Sequence, residues 1–372
     1  MYQTLYIILY SIYVLCFIIQ LSYWLFVKRK LLIYDTEQNK SVTDIPFSII
    51  VAAKNEAKNL SSLIPSLLGQ EGTRFEVIVI DDQSTDTTSL LLKKYADTYA
   101  HFRYKTLSNI PEAFNSKKYA LDTGIRMAKH ENIILTDADC MPSSNRWAQI
   151  LLGKMAEGSN MILGVSHYIY KKSLLNLIIR FETLQTMISY LSFALSGVPY
   201  MGVGRNLSYK KQTFISFNGF GGIENIVGGD DDLLVQKMSK ACKVSICIDK
   251  DAICYSHPET NFLSYIKQKK RHLSVGKYYL TKFKLLLALD SVSNMFFYTL
   301  FLLFVIIDKL SVLLAVLFVS KLFTTSFVMY KAKLKVNAKI SFIEIILMDV
   351  LNSYITSILG GYSVLVKNKK WN

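Results

Sequence analysis

Asp137-Ala138-Asp139 closes the apolar run Asn132 to Thr136 and sets two carboxylates two residues apart. Delivered at a strand end, such a pair offers a hard divalent cation an oxygen-rich seat and leaves positions open for phosphate oxygens. Asp81-Asp82 ends the run Phe75 to Ile80, where Asp82 is placed to accept the imide N–H of a base such as uracil. Asp86, four residues on, fits better as a helix cap. Gly229-Asp230-Asp231-Asp232-Leu233 sets three successive carboxylates before an apolar helix. Charges this close raise one another's pKa, and the helix dipole accounts for one or two of them. Three, preceded by two glycines, suit a general base that takes a proton from an acceptor hydroxyl. Gln268-Lys269-Lys270-Arg271-His272 lies in a 23-residue stretch, Phe262 to Lys284, with seven Lys or Arg and no acid. That stretch reads as a basic helix lying on anionic headgroups, and the Arg271 fork also suits a departing diphosphate. Neither Gly202-Val203-Gly204 nor the glycines of 219–222 fit a P-loop or a dinucleotide fingerprint.

The elements that must hold these residues alternate. Phe47 to Ala53, Phe75 to Ile80 and Ile133 to Thr136 are strand-like runs, each ending in polar residues. Helical patterns follow near Ala57 to Leu68, Thr87 to Tyr95, Lys117 to Lys129 and Asn145 to Glu157. This rhythm predicts an α/β domain with a mostly parallel sheet and helices on both faces. Ligands of such sheets gather at the carboxyl ends of the strands, so Lys54-Asn55-Glu56, Asp81-Asp82 and Asp137-Ala138-Asp139 are expected at one edge.

The chain of 372 residues is 51% apolar, with the excess at its two ends. Leu5 to Val27 is 23 residues without a charge, longer than the roughly 20 that cross a hydrocarbon core, and Lys28-Arg29-Lys30 follows. An uncleaved anchor with the next domain in the cytosol is expected. Ser291 to Ile307 and Leu310 to Tyr330, separated by Asp308-Lys309, suit a helical hairpin. Ser341 to Val366 is long enough to span, but crossing sends Lys367, Lys369 and Lys370 outward and immerses Glu344, Asp349 and Asn352. An in-plane or re-entrant segment therefore competes with a fourth span. Lys321, inside an apolar run, is expected to snorkel to the interface rather than meet an acceptor phosphate. The expected division is an anchor over 1–30, a cytosolic catalytic domain over 44–261 and a basic interfacial helix over 262–284. A membrane region over 285–372 completes it, with a hairpin at 291–330 and the further segment at 341–366. The net charge of +15 clusters beside apolar segments, which points to membrane lipids and away from nucleic acid. Five scattered cysteines show no CxxC spacing, so zinc and structural disulfides are not expected.

Taken in order, the strings resemble the family 2 glycosyltransferases, in the membrane-anchored bacterial branch related to ceramide glucosyltransferase and, more distantly, to cellulose and hyaluronan synthases. They are Ser48 to Glu56, Val79 to Asp86, Lys117 to Leu121, Thr136 to Asp139, Gly229 to Asp232 and Gln268 to Arg271. The resemblance covers about residues 44–284. It implies a GT-A fold, a nucleotide-sugar donor, UDP-linked above all, and Mg²⁺ or Mn²⁺ held by Asp137 and Asp139. It places Ala53, Glu56 and Asp82 at the nucleoside, Lys118 and Gln268 at the substrate, and Arg271 at the leaving diphosphate. It sets Asp230 on the Glu and Asp231 on the catalytic base of a Glu-Asp pair. It further implies inversion at the anomeric carbon and a lipid or lipid-linked saccharide acceptor at the cytosolic face of a bacterial inner membrane. His272 stands where the family's motif usually has Trp, which argues for a single transfer over processive polymer synthesis. A polysaccharide synthase and an inactive membrane scaffold are the alternatives.

Overall fold

The computed structural model describes residues 2–35, 45–307 and 309–365, with side chains as far as Gly361. Asp44, Asp308, Lys367, Lys369 and Lys370 lie outside the described residues. The chain divides into two units. One holds the described residues of 35–169 and 197–259, the other those of 1–34, 170–196 and 260–368.

The first unit is built on ten strands. In chain order they are β1 (Phe47–Ala53), β2 (Phe75–Asp81), β3 (Phe102–Thr106), β4 (Asn132–Leu135) and β5 (Cys140–Pro142). Then come β6 (Met161–Leu163), β7 (Ser166–Tyr168), β8 (Leu207–Lys210), β9 (Val244–Ile246) and β10 (Cys254–Ser256). Seven form a sheet ordered β3-β2-β1-β4-β8-β6-β9, parallel except where β8 runs against β4 and β6. A second sheet, β5-β10-β7, holds the other three.

β1 and β2 are apolar on both faces because helices cover both. Helix Ala57–Leu68 buries Leu60, Leu63, Ile64 and Leu67, a stripe at helical spacing, in one cluster with Ile49, Val51, Val77 and Val79. Helix Ser116–Met127 meets the other face at Gly124, where an added Cβ would lie 2.6 Å from Ile50 Cγ2. Only glycine lets the helix that carries Lys117 come so close. At the amino end of β2, Glu76 accepts hydrogen bonds from Ser48 Oγ (2.8 Å), Arg103 Nη1 (2.9 Å) and Lys129 N (2.6 Å). Burial works against that carboxylate, but these three donors outweigh it and hold its pKa below the usual value.

In the second unit, four helices are long and apolar enough to cross a membrane: Tyr2–Ile33, Thr281–Ile306, Val312–Lys335 and Phe342–Gly361. The fourth is one continuous helix, and the polar residues that argued against a span face partners. Asp349 accepts from Lys321 Nζ at 2.6 Å and from the Tyr298 hydroxyl, Asn352 meets Gln185 at 2.5 Å, and Glu344 lies 3.6 Å from Arg180. Lys321 therefore does not snorkel. Its side chain is 1% exposed and its charge is matched by Asp349 from a neighbouring helix. Helix Leu174–Leu195, which falls inside the catalytic domain on sequence grounds, belongs to this unit.

Candidate active site

The carboxyl ends of β1, β2 and β4 lie side by side, with Ala53 in register with Asp81. Ala53 contributes its backbone: the side chain is buried in the core, and its carbonyl accepts the Asp82 N–H at 2.8 Å. The loop after β1 is tied to the loop after β2. Asn55, in the left-handed region at φ 57°, accepts from Thr85 N (2.7 Å) and Asp86 N (3.3 Å), while its own N–H donates to Ser84 Oγ at 2.9 Å. Asp86 takes the structural role expected of it, accepting from Thr88 N at 2.9 Å and from Ala57 N at 3.3 Å.

Asp81 and Asp82 part company here. Asp81 is consumed by Ser84 N (3.0 Å), Thr106 Oγ1 (3.2 Å) and the Ser89 hydroxyl. Both oxygens of Asp82 are buried without a hydrogen-bond partner, and Lys54 Nζ is 3.9 Å away. Burial accordingly pushes the Asp82 carboxyl up. Glu56 holds Asn59 Nδ2 at 2.6 Å, and burial together with the charges of Asp139 and Asp137 raises its pKa.

Asp137 and Asp139 follow β4. Their carboxylates and Cys140 Sγ offer atoms within 4.8 Å of one another. Burial and the two neighbouring carboxylates push the Cys140 thiol well up, and it donates to Asp139 Oδ1 at 3.5 Å. Ser256 Oγ of β10 donates to Asp139 Oδ2 at 3.3 Å. Lys117 Nζ lies 2.9 Å from Asp137 Oδ1 and 2.9 Å from Asp230 Oδ2, so one ammonium joins the Asp-x-Asp turn to the acidic trio.

The trio divides by environment. Burial opposes the charge on Asp230, but Lys117 outweighs it and lowers the pKa. Asp231 is raised, by burial and then by the Asp230 charge. Asp231 caps helix Asp232–Met238 by accepting from Asp232 N at 2.8 Å, and its other oxygen accepts from Gly204 N at 2.9 Å. Each oxygen keeps a further lone pair.

Lys118 is elsewhere. Its ammonium, wholly buried, donates to the carbonyls of Ile223, Ile226 and Gly228, each at 2.7 Å, so all three protons are used. It fastens the loop that leads into the trio and does not reach toward a donor. Burial, the first cause, lowers its pKa to about 8. Lys117, to which the sequence assigned no role, is the lysine that meets both Asp137 and Asp230. Gln268 and Arg271 lie on helix Phe262–Val275 in the other unit. Arg205, in the turn Gly204–Asn206, was also passed over; its guanidinium carbon sits 4.4 Å from the Tyr168 ring centre.

Residues 48–212 match the model of the family described as glycosyl transferase family 2. The chain carries a family 2 glycosyltransferase domain. The 4,4'-diaponeurosporenoate glycosyltransferase of Staphylococcus haemolyticus is 30% identical over 118 residues, 32% of this chain and 30% of the relative. The beta-monoglucosyldiacylglycerol synthase of Nostoc sp. is 36% identical over 104 residues, 27% of this chain and 22% of the relative. The match thus spans less than a third of either relative's length. A mannosyltransferase of Pyrobaculum calidifontis, solved with GDP-Man and Mn²⁺, has a TM-score of 0.60 at 16% identity, over 94% of this chain and 99% of that one. The glycosyltransferase domain shares that fold, the GT-A architecture.

The donor set of the domain fits a hard divalent ion. Asp137 and Asp139 supply carboxylate oxygens at the turn, and Cys140, kept as a thiol, is a poor ligand for Mg²⁺ or Mn²⁺ that instead helps orient Asp139.

Proposed function

We propose that this protein transfers one sugar from a nucleotide-diphosphate donor, UDP-linked, to a lipid or lipid-linked saccharide acceptor at the cytosolic face of a bacterial inner membrane. The observation that carries the reading is the Lys117 bridge. It joins the turn suited to metal and diphosphate with the carboxylates suited to proton removal, inside one unit. The match of residues 48–212 to the glycosyl transferase family 2 model supports the reaction class, and the four apolar helices support a membrane setting.

The chemistry follows from charge and position. Asp82, a buried carboxylate whose oxygens accept no hydrogen bond and whose cation Lys54 is 3.9 Å away, accepts the N–H of the base; Ala53 and Glu56 line the same edge. Asp137 and Asp139 would hold Mg²⁺ or Mn²⁺, which when bound supplies positive charge to the donor's diphosphate. Asp231, the more basic of the two adjacent carboxylates, takes the proton from the acceptor hydroxyl. The oxygen attacks the anomeric carbon in line, a new glycosidic bond forms, the bond to the diphosphate breaks, and configuration inverts. Lys117 holds Asp230 ionised beside the base and stands next to Asp137, where negative charge develops on the leaving group. The likeness of the Gln268 to Arg271 string to its family motif, rather than a distance, supports giving Arg271 part of that charge.

The test uses the full-length protein in nanodiscs with total bacterial lipid, Mn²⁺ and a panel of radiolabelled nucleotide sugars. Label entering the organic phase as a singly glycosylated lipid is expected. Water-soluble polymer, or no transfer from any donor, would contradict the reading.

A further inference from the structure

We infer that Arg205 binds an oxyanion of the reacting molecules, a phosphate of the donor's diphosphate or of a phosphorylated acceptor. The inference rests on the sugar-transfer reading for its setting and on separate observations for its substance. The turn that carries Arg205 is anchored on three sides. Gly204 N–H holds Asp231 Oδ2 at 2.9 Å, the Arg205 carbonyl accepts from Thr136 Oγ1 at 3.1 Å, and Thr136 immediately precedes Asp137. Asn206, fully buried, accepts from Trp147 Nε1 at 3.0 Å and donates to the carbonyls of Val165 (2.6 Å) and Ala252 (2.8 Å). The backbone of Arg205 is therefore fixed between the Asp-x-Asp turn and the proposed base.

Its side chain is not satisfied in the same way. The guanidinium lies over Tyr168, yet Nε is buried without a hydrogen-bond partner, and no carboxylate lies within ion-pair distance among the described residues. Lys117 has two carboxylates and Lys118 three carbonyls. A buried guanidinium donor left unpaired is costly, and its planar fork matches the paired oxygens of a phosphate. Stacking on the Tyr168 ring holds the plane of that fork, while Nε stays without a partner.

The experiment measures binding to full-length Arg205→Met and Arg205→Lys proteins in nanodiscs with Mn²⁺. UDP, GDP and uridine are titrated calorimetrically, and dodecyl phosphate is tested as an inhibitor of transfer to total lipid. If the oxyanion belongs to the donor, nucleoside diphosphate affinity falls about tenfold or more in both variants while uridine affinity is kept, consistent with the loss of one charge-assisted contact. If it belongs to the acceptor, diphosphate affinity is kept and inhibition by dodecyl phosphate is lost. Wild-type values for every ligand in a folded variant would overturn the inference and leave the sugar-transfer reading standing, with Arg205 merely packing on Tyr168. Absence of any nucleoside diphosphate binding in the wild type would overturn both. Arg205→Lys, which keeps the charge and removes the fork, decides the matter should Arg205→Met fail to fold.

Discussion

Lys117 Nζ stands 2.9 Å from Asp230 Oδ2, and this one contact separates the chemistry of two adjacent carboxylates. Asp230 is held ionised by the lysine, while Asp231, next to that negative charge and buried, is made the stronger base. Asp231→Asn is expected to lower the transfer rate about 10²- to 10⁴-fold, the usual worth of a positioned base. Nucleotide affinity, measured by calorimetry, should be unchanged. An equal loss of affinity would assign Asp231 to substrate binding instead.

The same pair sets the pH dependence. Asp231 must be ionised to take a proton, and its raised pKa means that ionisation is lost on acidification earlier than for an ordinary Asp at 3.8. The rate should therefore fall as pH drops through a value above 3.8. Lys117→Met removes a cation that favours both carboxylates in their charged forms, so the acid limb should move to higher pH. Breaking this half-buried pair should also cost about 3 kcal/mol of stability in thermal unfolding. A limb that stays in place would separate Lys117 from the base.

Asp81 and Asp82 offer a contrast within one dipeptide. Asp81→Ala strips acceptors from three donors and should destabilise by about 1–3 kcal/mol with little specific effect on the nucleoside. Asp82→Asn relieves a buried carboxylate without hydrogen bonds, so its melting temperature should equal or exceed that of the wild type. Uridine and UDP affinity should fall about tenfold with the loss of a charge-assisted contact. The reverse pattern would exchange their roles.

Far from the chemistry, Glu76 makes stability depend on pH. Its folded pKa lies below 4.5, so its contribution is complete above the unfolded value and is lost as pH falls through the folded one. Unfolding titrations should show this part of the stability fading below about pH 4.5, and Glu76→Gln should flatten the slope there. At neutral pH the variant should be weaker, because Arg103 and the Lys129 N–H lose a charged acceptor.

What the sequence revealed follows from period and position. The runs Phe47 to Ala53 and Phe75 to Ile80 announce strands by their length and β-branched content, and the polar residues at their ends mark the sheet edge where the carboxylates gather. Strands such as Cys140–Pro142 and Ser166–Tyr168 have three residues each, too few for a period, so the second sheet and the reversed β8 were not legible. Lys117 and Lys118 are neighbours on a helix and point about 100° apart. Family likeness at that string does not say which faces the site; the burial of Lys118 does. Arg205 carried one faint signal, a cation directly after Gly202-Val203-Gly204. The pairing of Lys321 with Asp349 was hidden because the partners lie on different helices, and a lone charge in an apolar run looks unpaired until its neighbour is known.

The most direct measurement is nucleoside diphosphate release by the purified full-length protein with lipid acceptor and Mn²⁺, compared with Asp139→Asn and Asp231→Asn. The wild type should release diphosphate in step with sugar transfer, and both variants should lose at least 99% of that rate, the 10²-fold lower bound for a catalytic group. Wild-type release by either variant would contradict a site that joins the Asp-x-Asp turn to the acidic trio through Lys117.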